Sequence, residues 1–291
     1  MMRNDPEVAL EALETFAEGL DHPEGITLTL TGDIFVGGEA GQIYAIGHDD
    51  SVTQVASTSG FNLGLAADGA DRLYVCDTVA RRVWRVTPPT GERNVFCVGL
   101  AGRPMLQPNW GCFDAQGNYY VTDSGRWGRS DGLVWVVRPG GTTEVWTEEL
   151  TAFPNGCAVS PDGSRLFVAE SFPSAIVEVP IGSDGKAGPR RVLQELGTIV
   201  PDGVAVASDG RLVIACYRPD SIYTWDAHEG LELLASDPRG TVLAAPTNVV
   251  FTGPDLGTLV VPNLGRWHLT RGRLGVQGTP LFYPTAAQIG S

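Results

Sequence analysis

The chain has 291 residues and a formal net charge of −14, a balance that repels nucleic acid and anionic membranes and sets both aside as partners. With 43% apolar and 19% charged residues it has a globular composition, and no run approaches the eighteen or so apolar residues of a membrane-spanning helix. Thirty-seven Gly and twenty Pro, with few long helical patterns, favour short strands joined by tight turns.

The first twenty residues, MMRNDPEVALEALETFAEGL, are acidic and lack the apolar stretch of a secretory signal, so the expected location is the cytoplasm. Residues 7–19 have the spacing of an amphipathic helix. Yet LETFAEGLDHPEG is in phase with TEVWTEELTAFPNG further along, where a strand runs into a fresh turn. Strand is therefore the expectation, with any helix confined to the first dozen residues and residues 1–10 disordered or a short helix.

A repeat follows. HPEGITLTLTGDIFVGG begins at residue 22, the degraded copy FNLGLAADGADRLYVCDT at 61, and PNWGCFDAQGNYYVTDS at 108. FPNGCAVSPDGSRLFVAES begins at 153, VPDGVAVASDGRLVIACYR at 200, and the weaker APTNVVFTGPDLGTLVVPN at 245. These six copies lie 39 to 47 residues apart. Each reads as a turn-like piece, an apolar inner strand, a tight turn and a second strand. A third strand follows (QIYAIG, RVWRVTP, GLVWVVR, AIVEVPI, SIYTWDA), then a fourth (TEVWTEEL, RRVLQEL, LELLAS). Four strands in each repeat of about 40 residues is the arithmetic of a β-propeller blade. The expected fold is all-β: a six-bladed propeller of four-stranded antiparallel blades forming one domain over 1–291, its ring closed by the N-terminal strand. A tandem of two smaller domains is the alternative, but the repeat crosses the midpoint without a linker.

The second turn of each copy (TGD, DGAD, AQGN, PDGS, SDGR) carries the Gly or Asp-Gly of a hairpin and needs no other explanation. The first lies where the chain enters the innermost strand. Eight residues before the hairpin glycines Gly32, Gly117, Gly163 and Gly210 stand Glu24, Asn109, Asn155 and Asp202, one tier of the ring facing the central channel. Singly, Asn or Asp before Gly is a turn residue for local reasons. Together, two carboxylates and two amides aimed at one volume, with no basic residue in the tier, repel one another and are costly to desolvate without a cation. Hard oxygen donors carrying two negative charges suit a divalent ion, Ca²⁺ foremost, and the absence of His and Cys argues against tetrahedral zinc. The five cysteines (Cys76, Cys97, Cys112, Cys157, Cys216) form no CxxC pair and read as buried thiols of a reduced compartment. Trp84, Trp135, Trp146 and Trp225 fall on third or fourth strands and read as packing between blades. GxSxG is absent.

This Glu, Asn, Asn, Asp set on the inner strands of six blades resembles the regucalcin/gluconolactonase family, with diisopropylfluorophosphatases and paraoxonases as more distant relatives. The resemblance runs from HPEG to the closing LTRGRLGVQGTP. It implies a catalytic Ca²⁺, or another divalent ion such as Zn²⁺, Mn²⁺, Mg²⁺ or Fe²⁺, held by Glu24, Asn109, Asn155 and Asp202. It also implies lactone hydrolysis, with Asp202 as general base or nucleophile. Sugar-lactone members commonly read Arg-x-Asn-Asp-Gly where this chain has QPNWG: Gln107 stands at the Arg position and Trp110 at the Asp. Trp127 falls near a position where regucalcin carries a substrate-contacting acid. Two polar handles are missing and two indoles gained, so a lactone or ester less polar than an aldonolactone is expected.

Substrate contacts are expected from Gln107, Trp110, Asp123, Trp127, Phe172 and His268. Ser124, Glu170, Tyr217, Arg218, Asn263 and Trp267 are further strand-end candidates on the same face, and His22, two residues before Glu24, is a candidate neighbour of the ion. Two other readings remain open at this point: a metal-dependent phosphotriesterase, and a non-catalytic propeller whose ion ties blades together. The expected partner of the hydrolase is a small-molecule lactone or ester, and the protein itself a monomer or small homo-oligomer.

Overall fold

The computed structural model describes residues 10–88 and 90–290. Six four-stranded antiparallel sheets among these residues are arranged as a β-propeller. Blade I comprises Ile26–Leu28, Ile34–Gly37, Gln42–Ile46 and Val52–Ser57, and blade II Asn62–Ala67, Leu73–Asp77, Arg82–Thr87 and Glu92–Cys97. Blade III is built from Pro108–Phe113, Tyr119–Asp123, Leu133–Val137 and Thr143–Thr147. Blade IV uses Pro154–Val159, Arg165–Ser171, Ser174–Pro180 and Arg191–Gly197, and blade V Val200–Val206, Leu212–Arg218, Ser221–Asp226 and Gly230–Ser236.

Blade VI takes three strands from the C-terminal part, Val250–Thr252, Thr258–Pro262 and Leu269–Gly272, and its outermost strand from Leu13–Phe16. Leu13 pairs with Gly272 and Phe16 with Leu269, so the first strand closes the ring. Closure removes the open edges that a linear stack of sheets would expose. The strand expected at the N-terminus is present, preceded by one 3₁₀ turn at Leu10–Ala12; the rest of the segment expected as disordered or helical lies outside the described residues.

Six separate apolar clusters fill the six gaps between neighbouring blades. Blades II and III share Tyr74, Val83, Phe113, Tyr119 and Trp135; blades V and VI share Val213, Ile222, Phe251 and Val261. The middle strands are therefore buried on both faces, and Leu133–Val137 is buried at every position. Glu92–Cys97, at the rim of blade II, is mostly exposed and carries charge. Each large aliphatic side chain buried in these gaps contributes about 1.5–3 kcal/mol.

In blades III, IV and V the turn-like pieces that open the inner strands are not turns. Pro108–Phe113, Pro154–Val159 and Val200–Val206 are already strand there, and their pairing with the second strand slips at Pro108/Trp110, Pro154/Cys157 and Pro201/Val204. These are β-bulges, which re-aim a side chain without ending the strand. The glycines after the tier residues serve close packing, not a left-handed conformation. A Cβ at Gly156 would stand 2.5 Å from the Asp202 carbonyl oxygen, one at Gly203 2.6 Å from the Asn248 Cα, and one at Gly64 2.7 Å from the Asn109 carbonyl oxygen. Only glycine lets inner strands of adjacent blades approach backbone to backbone around so narrow a channel. The hairpin glycines do the opposite job: Gly32, Gly117, Gly163 and Gly210 have φ of 95°, 85°, 71° and 90°.

The chain ends across the hairpin side of the ring. Tyr283 donates its hydroxyl to the Leu28 carbonyl at 2.9 Å, and helix α1 (Ala286–Ile289) is closed by a capping box between Thr285 and Gln288. Ile289 inserts into the gap between blades II and III.

Candidate metal centre and active site

Glu24, Asn109, Asn155 and Asp202 come from blades I, III, IV and V, and none is more than 8% exposed. The equivalent positions of blades II and VI hold Leu63 and Thr247, both buried, and the Thr247 hydroxyl donates to the Glu24 carbonyl at 2.9 Å. The tier thus has four chemically competent corners and two inert ones.

Two serines fix which atom each amide presents. Ser124 donates its hydroxyl hydrogen to the Pro154 carbonyl at 2.8 Å, so its oxygen is left to accept from Asn109 Nδ2 at 2.9 Å. Ser171 repeats the device one blade on, donating to the Pro201 carbonyl at 2.9 Å and accepting from Asn155 Nδ2 at 3.4 Å. With each nitrogen so engaged, Oδ1 faces away from its serine. Ser171 is a site residue that the sequence analysis missed, although VTDS and VAES place the two serines in phase.

Asp202 is close enough to the Glu24 carboxylate to feel its charge and close enough to the Asn155 amide to be stabilised by it. Burial raises the Asp202 carboxyl well above the usual carboxylate range, the Glu24 charge raises it further, and the Asn155 amide opposes both. Burial likewise pushes Glu24 up to about 8, with the Glu39 charge adding to it. Glu24 Oε2 and Asn155 Oδ1 are buried without a hydrogen-bond partner. Two acids forced toward neutrality beside orphaned oxygens form a site short of positive charge. Its chemistry fits a hard divalent cation, whose charge would ionise both acids and whose coordination sphere would satisfy the free oxygens.

The other predicted contacts are distributed unevenly. Asp123, 2% exposed, accepts from the backbone N–H of Leu106 (2.9 Å) and Gln107 (2.7 Å) and from Trp135 Nε1 (3.0 Å). Its oxygens are committed to the segment that leads into Asn109, which makes Asp123 a residue that shapes the site and not one free to meet substrate. Asp77 plays the same part in blade II, accepting from Phe61 N–H and Trp84 Nε1. Glu170 does so in blade IV, held by Ala152 N–H and Arg190 Nε. In blade VI Asn263 accepts from Ala244 N–H at 2.8 Å.

Gln107 stands at the head of the blade III inner strand, half-buried, its carbonyl accepting from Ser124 N–H at 2.9 Å. Trp110 lines an apolar cavity of about 370 Å³ in the channel on the hairpin side of the tier, with Phe113, Cys157, Val159 and Phe251, roofed by Thr279–Tyr283. His268 holds the Val242 carbonyl at 3.2 Å, which requires the proton on Nε2. His22 sits between the carboxylates of Asp21 (3.1 Å) and Glu39 (3.3 Å), its ring 5.9 Å from that of the exposed Trp267. Arg218 stacks on Tyr217 at 4.5 Å. Trp127 and Phe172 are exposed and touch each other, with ring centroids 4.7 Å apart. The cysteines are free, Cys112 and Cys157 lying 3.5 Å apart, and among the described residues no helix is long and apolar enough to cross a membrane.

Comparison with known proteins agrees with this architecture. The model of the SMP-30/gluconolactonase/LRE-like region matches residues 17–263. A gluconolactonase of Zymomonas mobilis is 26% identical over 196 residues, 60% of this chain and 54% of that protein. The chain thus matches about half the length of this curated relative. A gluconolactonase structure from Xanthomonas campestris superposes with a TM-score of 0.78 at 20% identity, covering 94% of this chain and 96% of the other. Regucalcin of Agrobacterium tumefaciens, described as a calcium-binding protein, does so with a TM-score of 0.75 at 16% identity over 93% and 96%. At these identities the two structures speak for the fold, while the family model spans most of the chain. This protein belongs to the SMP-30/gluconolactonase/LRE-like family.

Proposed function

We propose that this protein is a divalent-metal-dependent hydrolase that opens the ring of a lactone, or cleaves a related ester, less polar than an aldonolactone. The observation that carries the reading is the buried pair Glu24 and Asp202, both raised in pKa, beside the unpartnered oxygens Glu24 Oε2 and Asn155 Oδ1. The family supports lactone hydrolysis, and the calcium-binding regucalcin supports Ca²⁺ as the ion.

Glu24 and Asp202 would supply the two negative charges that hold the ion, and Asn109 and Asn155, oriented by Ser124 and Ser171, two neutral oxygens. When bound, a divalent cation supplies Lewis-acid polarisation of an acyl oxygen, worth several kcal/mol of barrier. Asp202, ionised in that state, would take the proton from an attacking water; alternatively its oxygen would bond to the acyl carbon as the ring C–O bond breaks, and water would then hydrolyse the resulting anhydride to the same hydroxy acid. In the first route the water oxygen bonds to the acyl carbon, the ring C–O bond breaks, and the departing alkoxide takes up a proton to leave a hydroxy acid. Gln107 in place of a cation, and the exposed rings of Trp127 and Phe172, support a substrate with few hydroxyls.

Acid release from a panel of lactones, measured with Ca²⁺, after chelation and after Ca²⁺ is restored, tests the reading. Turnover should vanish on chelation and return on restoration. Hydrolysis indifferent to chelator would refute metal dependence, and a folded protein that turns over no lactone or ester would favour a binding role.

A further inference from the structure

Three aromatic rings stand together beside the candidate site. Trp127 is 70% and Phe172 43% exposed, an unusual degree for rings of that size, and the buried Phe153 underlies both at 5.1 and 6.0 Å. All three contacts are edge-on or steeply tilted, with interplanar angles of 80°, 71° and 69°. The rings interlock without stacking face to face.

Each ring hangs from a segment that also carries the tier. Phe153 is two residues before Asn155, and its carbonyl accepts from Ser171 N–H at 3.2 Å. Phe172 follows Ser171 directly, and its N–H donates to the Ala152 carbonyl at 3.0 Å. Trp127 lies three residues beyond Ser124, in a loop pinned by the Arg126–Asp131 ion pair at 2.7 Å. Ser124 and Ser171 are the residues that orient Asn109 and Asn155. The same backbone that aims the amide oxygens therefore sets the rings at the mouth.

Contiguous exposed aromatic surface beside a polar centre marks a binding site more often than it serves stability. A polyhydroxylated ring also stacks on indole, but its hydroxyls need polar partners, and the phenyl rings of Phe172 and Phe153 offer none. An aryl ring asks only for π-surface, which Trp127 and Phe172 offer edge and face. We propose that Trp127 and Phe172, backed by Phe153, form a specificity wall that selects lactones carrying an aryl substituent. This deepens the hydrolase reading and rests on it for the site of reaction.

The test compares α-benzyl-γ-butyrolactone with γ-butyrolactone, which share ring and alkoxide leaving group and differ by the benzyl substituent, with α-methyl-γ-butyrolactone as the control for substitution at that carbon; glucono-δ-lactone is the remaining substrate. The wild type should prefer the benzyl compound in kcat/KM by about tenfold, on the scale of one or two ring contacts. Trp127→Ala and Phe172→Ala should each remove most of that preference through KM, and Trp127→Phe should keep part of it. A preference unchanged in Trp127→Ala, or a wild type that favours glucono-δ-lactone, overturns the proposal. Calorimetric binding of the unreactive lactam 3-benzylpyrrolidin-2-one gives a readout independent of turnover. If the lactam binds wild type at least fivefold more tightly than Trp127→Ala while no lactone is hydrolysed, the wall stands and the hydrolase reading falls. If lactones are hydrolysed with no aryl preference, the wall falls and the hydrolase reading stands.

Discussion

Asp202→Asn is expected to lower lactone turnover by about 10²- to 10⁴-fold, the usual worth of a positioned general base, while raising the melting temperature of the metal-free protein. The two effects share one cause. Burial and the Glu24 charge hold the Asp202 carboxyl neutral well above the normal range. Unfolding frees it to ionise in water, a gain for the unfolded state that an amide does not have. The substitution therefore relieves the fold while removing both a charge from the ion site and the only group proposed to take the proton. Steady-state kinetics and thermal unfolding in chelator check the pair. Wild-type turnover in this variant would end the catalytic assignment, and a lower metal-free melting temperature would contradict the electrostatic picture.

The second large effect is a calcium stabilisation that grows with pH. Glu24 has its folded pKa pushed up to about 8 from an ordinary value of 4.5, chiefly by burial. A raised carboxyl binds its proton more tightly in the folded state, so its contribution to stability is full below about pH 4.5 and is lost as pH rises through about 8. Asp202 shifts in the same direction. The metal-free protein should thus weaken steadily from about pH 5 to 8. The cation binds the ionised acids, so its affinity rises over the same interval as protons are displaced. At about a hundredfold excess over Kd a ligand adds about 2.7 kcal/mol, or roughly 4–5 °C for a chain of 291 residues. Thermal unfolding with Ca²⁺ and with chelator should diverge by that much near pH 8 and converge near pH 5. A constant difference across the range would show that these carboxylates do not hold the ion.

The fold was legible because the propeller repeats one local signal six times. Gly32, Gly117, Gly163 and Gly210 adopt left-handed φ, a demand visible in the sequence as Gly at the hairpin, and counting back from them lands on the tier. The glycines of Asn155-Gly156 and Asp202-Gly203 looked like the same signal but answer a tertiary demand, the close approach of the next blade, which no local pattern reveals. For the same reason the bulges at Pro154 and Pro201 read as turns.

Direction was the harder property. Asp123 and Glu170 end their strands on the side of the site, and sequence phase cannot say that their oxygens accept backbone N–H groups of their own blade. His268 was legible as a polar residue near the mouth, but not its tie to the Val242 carbonyl. Trp110 occupies a tier-adjacent position by count, yet lines the apolar channel on the far side. Phe153 joins Trp127 and Phe172 only through the fold, since the three are separated by 26 and 19 residues. The capping box of α1, Thr285 with Gln288, stands in the sequence, but a single short turn carries no helical period to mark it.

The central claim is that oxygen donors from four blades converge on one divalent ion. An anomalous-difference map from crystals grown with Mn²⁺ or Ca²⁺ tests it most directly. The account predicts one strong peak bonded to Glu24, Asn109, Asn155 and Asp202, at about 2.3–2.6 Å for Ca²⁺, with solvent completing the shell. A blank channel with Glu24 and Asp202 sharing only protons and water, or a peak confined to Asp21, His22 and Glu39, would contradict it.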